Sequence, residues 1–407
     1  MSKLLIVLLI FLFITLGLRF FFFYLNKTQL RDGEALNFET TLLSEPKISG
    51  KTQKFSVDYL SNRIFITTSL FPEFHYGDML QISGTLKIRA INKKTDFYSM
   101  NFPKIEADTN SKNKILSVTS FIRQKIISFF NSNLSPNSSG LILGIVFGIK
   151  EGIPSDFLKD LRQVGVMHVV AASGMNVTMV GGFLSSIFLL FLKRQLALVL
   201  SILGIVAYAI LAGLEPSIIR ASIMGILVFM ASILGRQAWP FFGLLLTGYL
   251  MLIFDPNLIF DIGFQLSYLA TLSLLYLNPV FKNPILDSFQ TTIFAQIATL
   301  PVIIANFGIY SLWSVLVNGL ILWTIPSLMV LGGVSSILAF VIEPIARIIL
   351  LVSVPILIYF ETVVKFFANL GFVINFSSVN WAIIAGYYFL VLSFMVFRSR
   401  PSIKNKT

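Results

Sequence analysis

Arg220 lies about one helical turn inside an apolar run, in Gly213-Leu214-Glu215-Pro216-Ser217-Ile218-Ile219-Arg220. A permanently charged guanidinium at such a place costs at least ~2.5–3.5 kcal/mol unless it faces protein or water. Two apolar spans, roughly 216–236 and 239–254, are followed by Asp255-Pro256, Asp261 and Ile262-Gly263-Phe264-Gln265-Leu266-Ser267. Asp255 and Asp261 flank a proline-containing turn, and Gln265 and Ser267 open the next apolar run. Polar groups gathered at helix ends of an otherwise apolar chain are expected around a buried aqueous path.

A second constellation is Gly165-Val166-Met167-His168-Val169-Val170-Ala171-Ala172-Ser173-Gly174-Met175-Asn176. Small residues at 171–174 allow helices to approach closely, and Asn176 sits just inside a span. Two readings stand side by side. One is helix packing with a single interhelical hydrogen bond. The other places His168, Ser173 and Asn176 on a polar path. A hydrolase built from His168, Ser173 and an aspartate is a further reading, although the spacing is awkward for one helix and no Gly-x-Ser-x-Gly elbow is present.

The elements that carry these residues follow from composition. Of 407 residues, 56% are hydrophobic and only 12% charged, against about a quarter charged in ordinary soluble domains. Mean hydropathy is +0.83. Repeated runs near the ~20 residues that cross hydrocarbon indicate a polytopic α-helical membrane protein, with about 9–11 membrane-embedded helices. There are no cysteines and only two histidines, His75 and His168. Disulfides, thiolate sites and a histidine-rich zinc centre are thereby excluded, no cofactor is expected, and no nucleotide-binding P-loop occurs.

Residues 1–26 form an uncleaved apolar anchor, with Lys3 before it and Arg19 placed to reach the outer interface. Residues 27–112 alternate apolar and polar positions, as in Lys54-Phe55-Ser56-Val57-Asp58-Tyr59 and Arg63-Ile64-Phe65-Ile66, and predict a small extracytoplasmic OB-like β-barrel domain. A turn at Gly77-Asp78 and a bulge at Gly84 are expected. Whether this domain contacts nucleic acid or serves as a cap is open. After a polar linker at 108–114, Ile115–Leu134 reads as an amphipathic helix at the membrane face, and 140–149 as a half-spanning or re-entrant element. Residues 113–398 make up the multi-helix membrane domain, and 399–407 a basic tail. The spans are about 174–192, 196–212, 216–236, 239–254, 264–281, 288–305, 312–331, 332–342, 345–371 and 379–397. Pro301 and Pro326 are expected to kink their helices.

Net charge is +12. Lys193-Arg194, Arg236, Lys282 and the basic tail fall between alternate spans, so simple alternation puts them all on the cytoplasmic side of the cytoplasmic (inner) membrane. The N- and C-termini are then inside and the β domain outside. His168, Glu215, Asp255 and Asp261 converge on the outer end as a polar vestibule.

The motifs Gly213-x-x-Pro216-Ser217-x-x-Arg220-Ala221, Gly235-Arg236, Asp255-Pro256, Gly263-Phe264-Gln265-Leu266-Ser267-Tyr268-Leu269-Ala270, Thr299-Leu300-Pro301, Asn306-Phe307-Gly308 and Asn318 resemble the competence-type DNA-uptake channel family (ComEC). The resemblance covers most of the chain. It implies a channel for single-stranded DNA, with His168, Ser173, Asn176, Arg220, Asp255, Asp261, Gln265 and Ser267 on the DNA path or polar vestibule. Its partners would be single-stranded DNA, membrane lipids, a DNA receptor outside, an ATP-driven motor inside and a separate nuclease. Two departures stand out. Gly174-Met175-Asn176 replaces a frequent Gly-Leu-His, and the metallo-β-lactamase-like C-terminal domain of many members does not follow the last span. A small-solute transporter is the rival reading.

Overall fold

The computed structural model describes residues 3–28, 30–42, 45–60, 62–92, 95–107, 114–150, 152–170, 173–276, 284–376 and 381–399. The expected linker at 108–114 falls almost wholly outside them, as do Ala171, Ala172 and Lys282. Helix α1 (Lys3–Leu25) leads into eight strands. These are β1 (Ala35–Thr41), β2 (Lys47–Ser49), β3 (Thr52–Tyr59), β4 (Asn62–Ser69), β5 (Met79–Thr85), β6 (Lys87–Asn92), β7 (Thr95–Asn101) and β8 (Lys104–Ala107).

The strands make two sheets, β1-β5-β8 and β2-β3-β4-β7-β6, with β4 and β7 parallel. Their apolar faces share one core: Phe38, Leu80 and Ile82 from the first meet Phe55, Val57, Ile64 and Ile66 from the second. The expected closed OB-like barrel is therefore corrected to a pair of packed sheets, since among the described residues no ladder joins them. Alternation requires one buried face per strand, and a sandwich satisfies that as well as a barrel does. Gly84 is not a bulge. It pairs with Leu36 in register, and a Cβ there would lie 2.8 Å from Pro103 Cβ. Gly77 has φ +88° and lies against the Leu116 carbonyl, so it serves both the turn and the approach of the next helix.

Fourteen helices follow, in order α2 (Lys114–Asn133), α3 (Pro136–Phe147), α4 (Ser155–Val164), α5 (Met167–Val170), α6 (Gly174–Phe191), α7 (Arg194–Leu211), α8 (Pro216–Ile233), α9 (Pro240–Phe254), α10 (Ile262–Tyr276), α11 (Pro284–Phe307), α12 (Ser314–Ile321), α13 (Thr324–Leu338), α14 (Glu343–Leu370) and α15 (Trp381–Ser399). Two short strands, β9 (Ile309–Ser311) and β10 (Val373–Asn375), pair antiparallel. Among the described residues five helices are long and apolar enough to cross a membrane, six if α12 and α13, bent by 49°, form one broken span. Five shorter apolar helices accompany them; the larger expected number is reached only if these are embedded too. The break precedes Pro326, which sits in the first turn of α13 and kinks nothing.

Helix α3 is the centre of the bundle. Ser138 through Phe147 are all buried, as a short apolar helix away from lipid requires. Gly140 and Gly144 admit the backbones of Ile153 and Val170, and Gly332 of α13 admits Val146 and Ile142, the small-residue packing of membrane bundles. Because α3 is too short to span, its last carbonyls end inside protein and need donors. Asn176 Nδ2 donates to Ile145 O at 2.7 Å and the Tyr208 hydroxyl to Val146 O at 2.9 Å. The same logic holds at Pro301 in α11. It cannot donate to Ile297 O, and Tyr387 of α15 does so at 2.7 Å, so that freed carbonyl is capped rather than left to line a cavity.

The β domain docks on the bundle through Arg123 of α2, which is 4% exposed. Arg123 Nη1 donates to Leu211 O at 2.5 Å and the guanidinium lies 4.9 Å from the Tyr76 ring. Tyr76 itself donates to Ile210 O at 3.3 Å. Helix α2 therefore buries Thr119, Arg123, Ile126 and Phe130, so the surface helix expected at 115–134 also turns a face into the core. Glu45 joins the group, accepting from Tyr76 N at 3.2 Å and holding His75 Nδ1 at 3.2 Å.

That contact gives a pH dependence. The hydrogen bond to Glu45 raises the His75 pKa above its ordinary value, against an opposing effect of burial. A raised histidine contributes stability that is present below the unfolded pKa of ~6.5 and lost as pH rises through the folded value. Docking of the β domain should accordingly melt lower at pH 8 than at pH 6. His75→Gln should flatten that difference; an unchanged pH response in the variant would remove His75 from the account.

Candidate functional site

Helix α8 starts with Pro216 after Glu215, a preset first-turn residue. One turn on, Arg220 is 8% exposed. Its Nε donates to Ser267 Oγ of α10 at 2.6 Å and Nη1 approaches Met224 Sδ at 3.4 Å. The start of α6 passes directly over the guanidinium: a Cβ on Gly174 would sit 2.6 Å from Nη2 and 3.3 Å from Ala221 Cβ. Among the described residues Arg220 has no carboxylate partner. Neither Asp255 nor Asp261 pairs with it, because both aspartates accept from backbone donors.

Asp255 accepts from Asn257 N at 3.0 Å and so caps a 3-10 turn over Pro256–Phe260. Asp261 accepts from Phe264 N at 2.9 Å, the N-cap bond of α10. Gln265 Nε2 closes the same turn by donating to Ile259 O at 2.8 Å. These three residues hold the turn from which α10 presents Ser267 to Arg220.

Ser173 and Asn176 stand beside this group at the start of α6. Ser173 Oγ donates to Asn176 Oδ1 at 3.1 Å, and Asn176, 2% exposed, spends its amide on α3. His168 is exposed on the short α5, and among the described residues no hydrogen bond joins it to Ser173. The geometry thus brings Arg220, Ser267 and Gly174 into contact, with Ser173 and Asn176 alongside, and leaves His168 apart.

Other polar groups enter the bundle. Gln296 links Ser314, at 2.9 Å, to the Tyr310 hydroxyl, at 3.0 Å. From the end of β9 into α12, Ser311 Oγ, Trp313 Nε1 and Asn318 Oδ1 are buried without a hydrogen-bond partner among the described residues. Such orphans are the usual mark of groups that water satisfies. Glu361 of α14 escaped the sequence reading. Ser138 Oγ donates to it at 2.6 Å and Lys365 lies 3.5 Å away. The signal was present, since Glu361 and Lys365 are the charged pair inside the longest apolar run.

The polar groups are ordered by end. Lys150 pairs with Glu215 at 2.9 Å, Lys27 of the α1–β1 connection reaches Asn257 at 3.4 Å, and the β domain rests on Ile210 and Leu211. At the other end Arg194 donates to Ser232 O at 3.4 Å. Glu215, Asp255 and Asp261 therefore share the β-domain end, opposite Arg194.

These features define a polytopic helical membrane protein with a β domain at one end and an internal arginine site. Residues 145–401 match the family model described as "Competence protein"; the chain belongs to that family, the ComEC type. ComE operon protein 3 of Bacillus subtilis (strain 168) is 30% identical over 233 residues, covering 56% of this chain and 30% of that relative. An uncharacterized protein of Aquifex aeolicus (strain VF5) is 25% identical over 322 residues, covering 73% of this chain and 74% of that protein. No solved structure gives a significant match.

Proposed function

We propose that this protein conducts single-stranded DNA inward across the cytoplasmic membrane, entering at the β-domain end. Family membership supports a role in DNA uptake. The observation that carries the conduit reading is Arg220: a cation 8% exposed within an apolar bundle and without a carboxylate partner among the described residues. A passing phosphodiester supplies the missing anion, and the Ser267 bond holds the guanidinium ready for it. One arginine cannot neutralise several phosphates, so the rest of the lumen is hydrated; the buried orphans at Ser311, Trp313 and Asn318 fit that requirement.

In this reading residues 1–26 are the anchor, 27–112 the outer β domain, 113–398 the conduit and 399–407 a cytoplasmic tail. Ser173, Asn176, Asp255, Asp261 and Gln265 hold the vestibule in shape, and His168 faces it. A receptor outside, an ATP-driven motor inside and a separate nuclease complete the system. Import of fluorescent DNA into host cells, with the gene intact, deleted and restored, tests the proposal. Unchanged import in the deletion strain would overturn it.

Small-solute transport is the second reading, and the 49° break between α12 and α13 favours it, because discontinuous helices line many transporter sites. Normal DNA import in a deletion strain that has lost uptake of a defined solute would select it.

A further inference from the structure

A cavity of ≈ 230 Å³ opens where α1 meets the β domain, with Arg19 and Lys27 on its wall beside Asn26, Phe22, Phe23 and Leu60. It is smaller than the ~300–1,000 Å³ pockets that enclose drug-sized ligands. Among the described residues no carboxylate lines it. Arg19 uses Nε on Ile253 O at 3.0 Å and rests 5.2 Å from the Phe23 ring, leaving both terminal nitrogens available. Lys27 leans 5.8 Å over the Tyr24 ring. The opposite wall is fixed by Asn62, 4% exposed, whose amide donates to Thr28 O at 3.1 Å and Leu60 O at 3.2 Å. Leu60 is held there in the left-handed region, φ +46°.

Location decides the ligand. Helix α1 packs against α9 and the 3-10 turn, and Phe11, Phe13, Leu18, Phe21 and Phe22 stay exposed, as side chains facing acyl tails do. Arg19 lies six residues before the helix end, about 9 Å along the axis, at the depth where an anchor's arginine meets lipid headgroups. We infer that this cavity is a phospholipid site in which the headgroup phosphate sits between Arg19 and Lys27 and the glycerol and upper acyl chain lie on Phe22 and Phe23. A bound lipid would tie the anchor to the β domain beside the Asp255 turn, through Lys27 and Asn257. This inference does not depend on what the conduit carries.

Native mass spectrometry of the full-length protein in maltoside detergent tests it, with dioleoylphosphatidylglycerol against dioleoylglycerol, which has the same chains and no phosphate. One phosphatidylglycerol per protein should bind at least ~10-fold more tightly than the diacylglycerol. Arg19→Gln/Lys27→Gln should lose that preference, and Arg236→Gln at the other end should keep it. If the double variant fails to fold, Leu60→Glu, which leaves every bond of Arg19 and Lys27 intact, should expel the phosphate by repulsion. Equal binding of both lipids, or a preference that survives these substitutions, would overturn the site. Displacement of the lipid by inorganic phosphate would make it a free-anion site, and displacement by oligothymidylate a nucleic-acid site; either result rejects the lipid assignment.

Discussion

Arg220→Ala should reduce DNA import to the level of a deletion strain while the protein remains inserted at normal abundance. Two terms set the size. A hydrogen bond from a charged donor contributes about 1.5–3 kcal/mol, so losing one phosphate contact in the rate-limiting passage slows it roughly ten- to a hundred-fold. The wet lumen also loses its fixed positive charge, and phosphate then meets a low-dielectric constriction without compensation. The fold should tolerate the change, because removing a desolvated cation relieves a cost. Arg220→Lys keeps the charge without the guanidinium fork and should fall between. Gly174→Ala offers a finer probe: its Cβ would press on Nη2, so the guanidinium must shift from Ser267 and import should drop without loss of stability. Wild-type import in Arg220→Ala, measured beside a membrane-fraction blot, would remove Arg220 from the path.

Asn176→Leu should produce the opposite pattern, a loss of stability first. It strands the Ile145 carbonyl at the buried end of α3, and an unsatisfied buried acceptor costs about 1–3 kcal/mol. Tyr208→Phe does the same at Val146. The two carbonyls are successive residues of one helix end, so the double variant should fall further than either and release α3 from α6 and α7. Thermal unfolding in detergent measures this directly. A Tm unchanged in Asn176→Leu, with import abolished, would move Asn176 from scaffold to path.

The contrast between these residues shows what could be read from the sequence. Arg220 was visible because a charge in an apolar run is costly wherever it occurs. Asp255 and Asp261 were visible as polar punctuation between spans, and their capping role follows from local spacing. The partner of Arg220 was not visible, since hydropathy locates spans along the chain and says nothing of which faces meet across it. Ser267 is 47 positions away. For the same reason Asn176 could be placed at a helix start but not assigned to Ile145. Arg123 looked like a surface charge on an amphipathic helix; only the docked β domain gives it Tyr76, and only the packed bundle gives it Leu211 of α7. The strands of the β domain were legible by alternation, whereas their grouping into two sheets rests on nonlocal pairing of β4 with β7.

Site-specific photo-crosslinking during uptake tests the central claim most directly. Met175, exposed and adjacent to the glycine that covers Arg220, is replaced by benzoylphenylalanine in cells taking up radiolabelled DNA. Leu190, 76% exposed near the other end of the same helix, serves as the lipid-facing control. The conduit account predicts a covalent single-stranded DNA adduct at position 175 and none at 190. Adducts at neither position while import proceeds, or equal labelling at both, would contradict it.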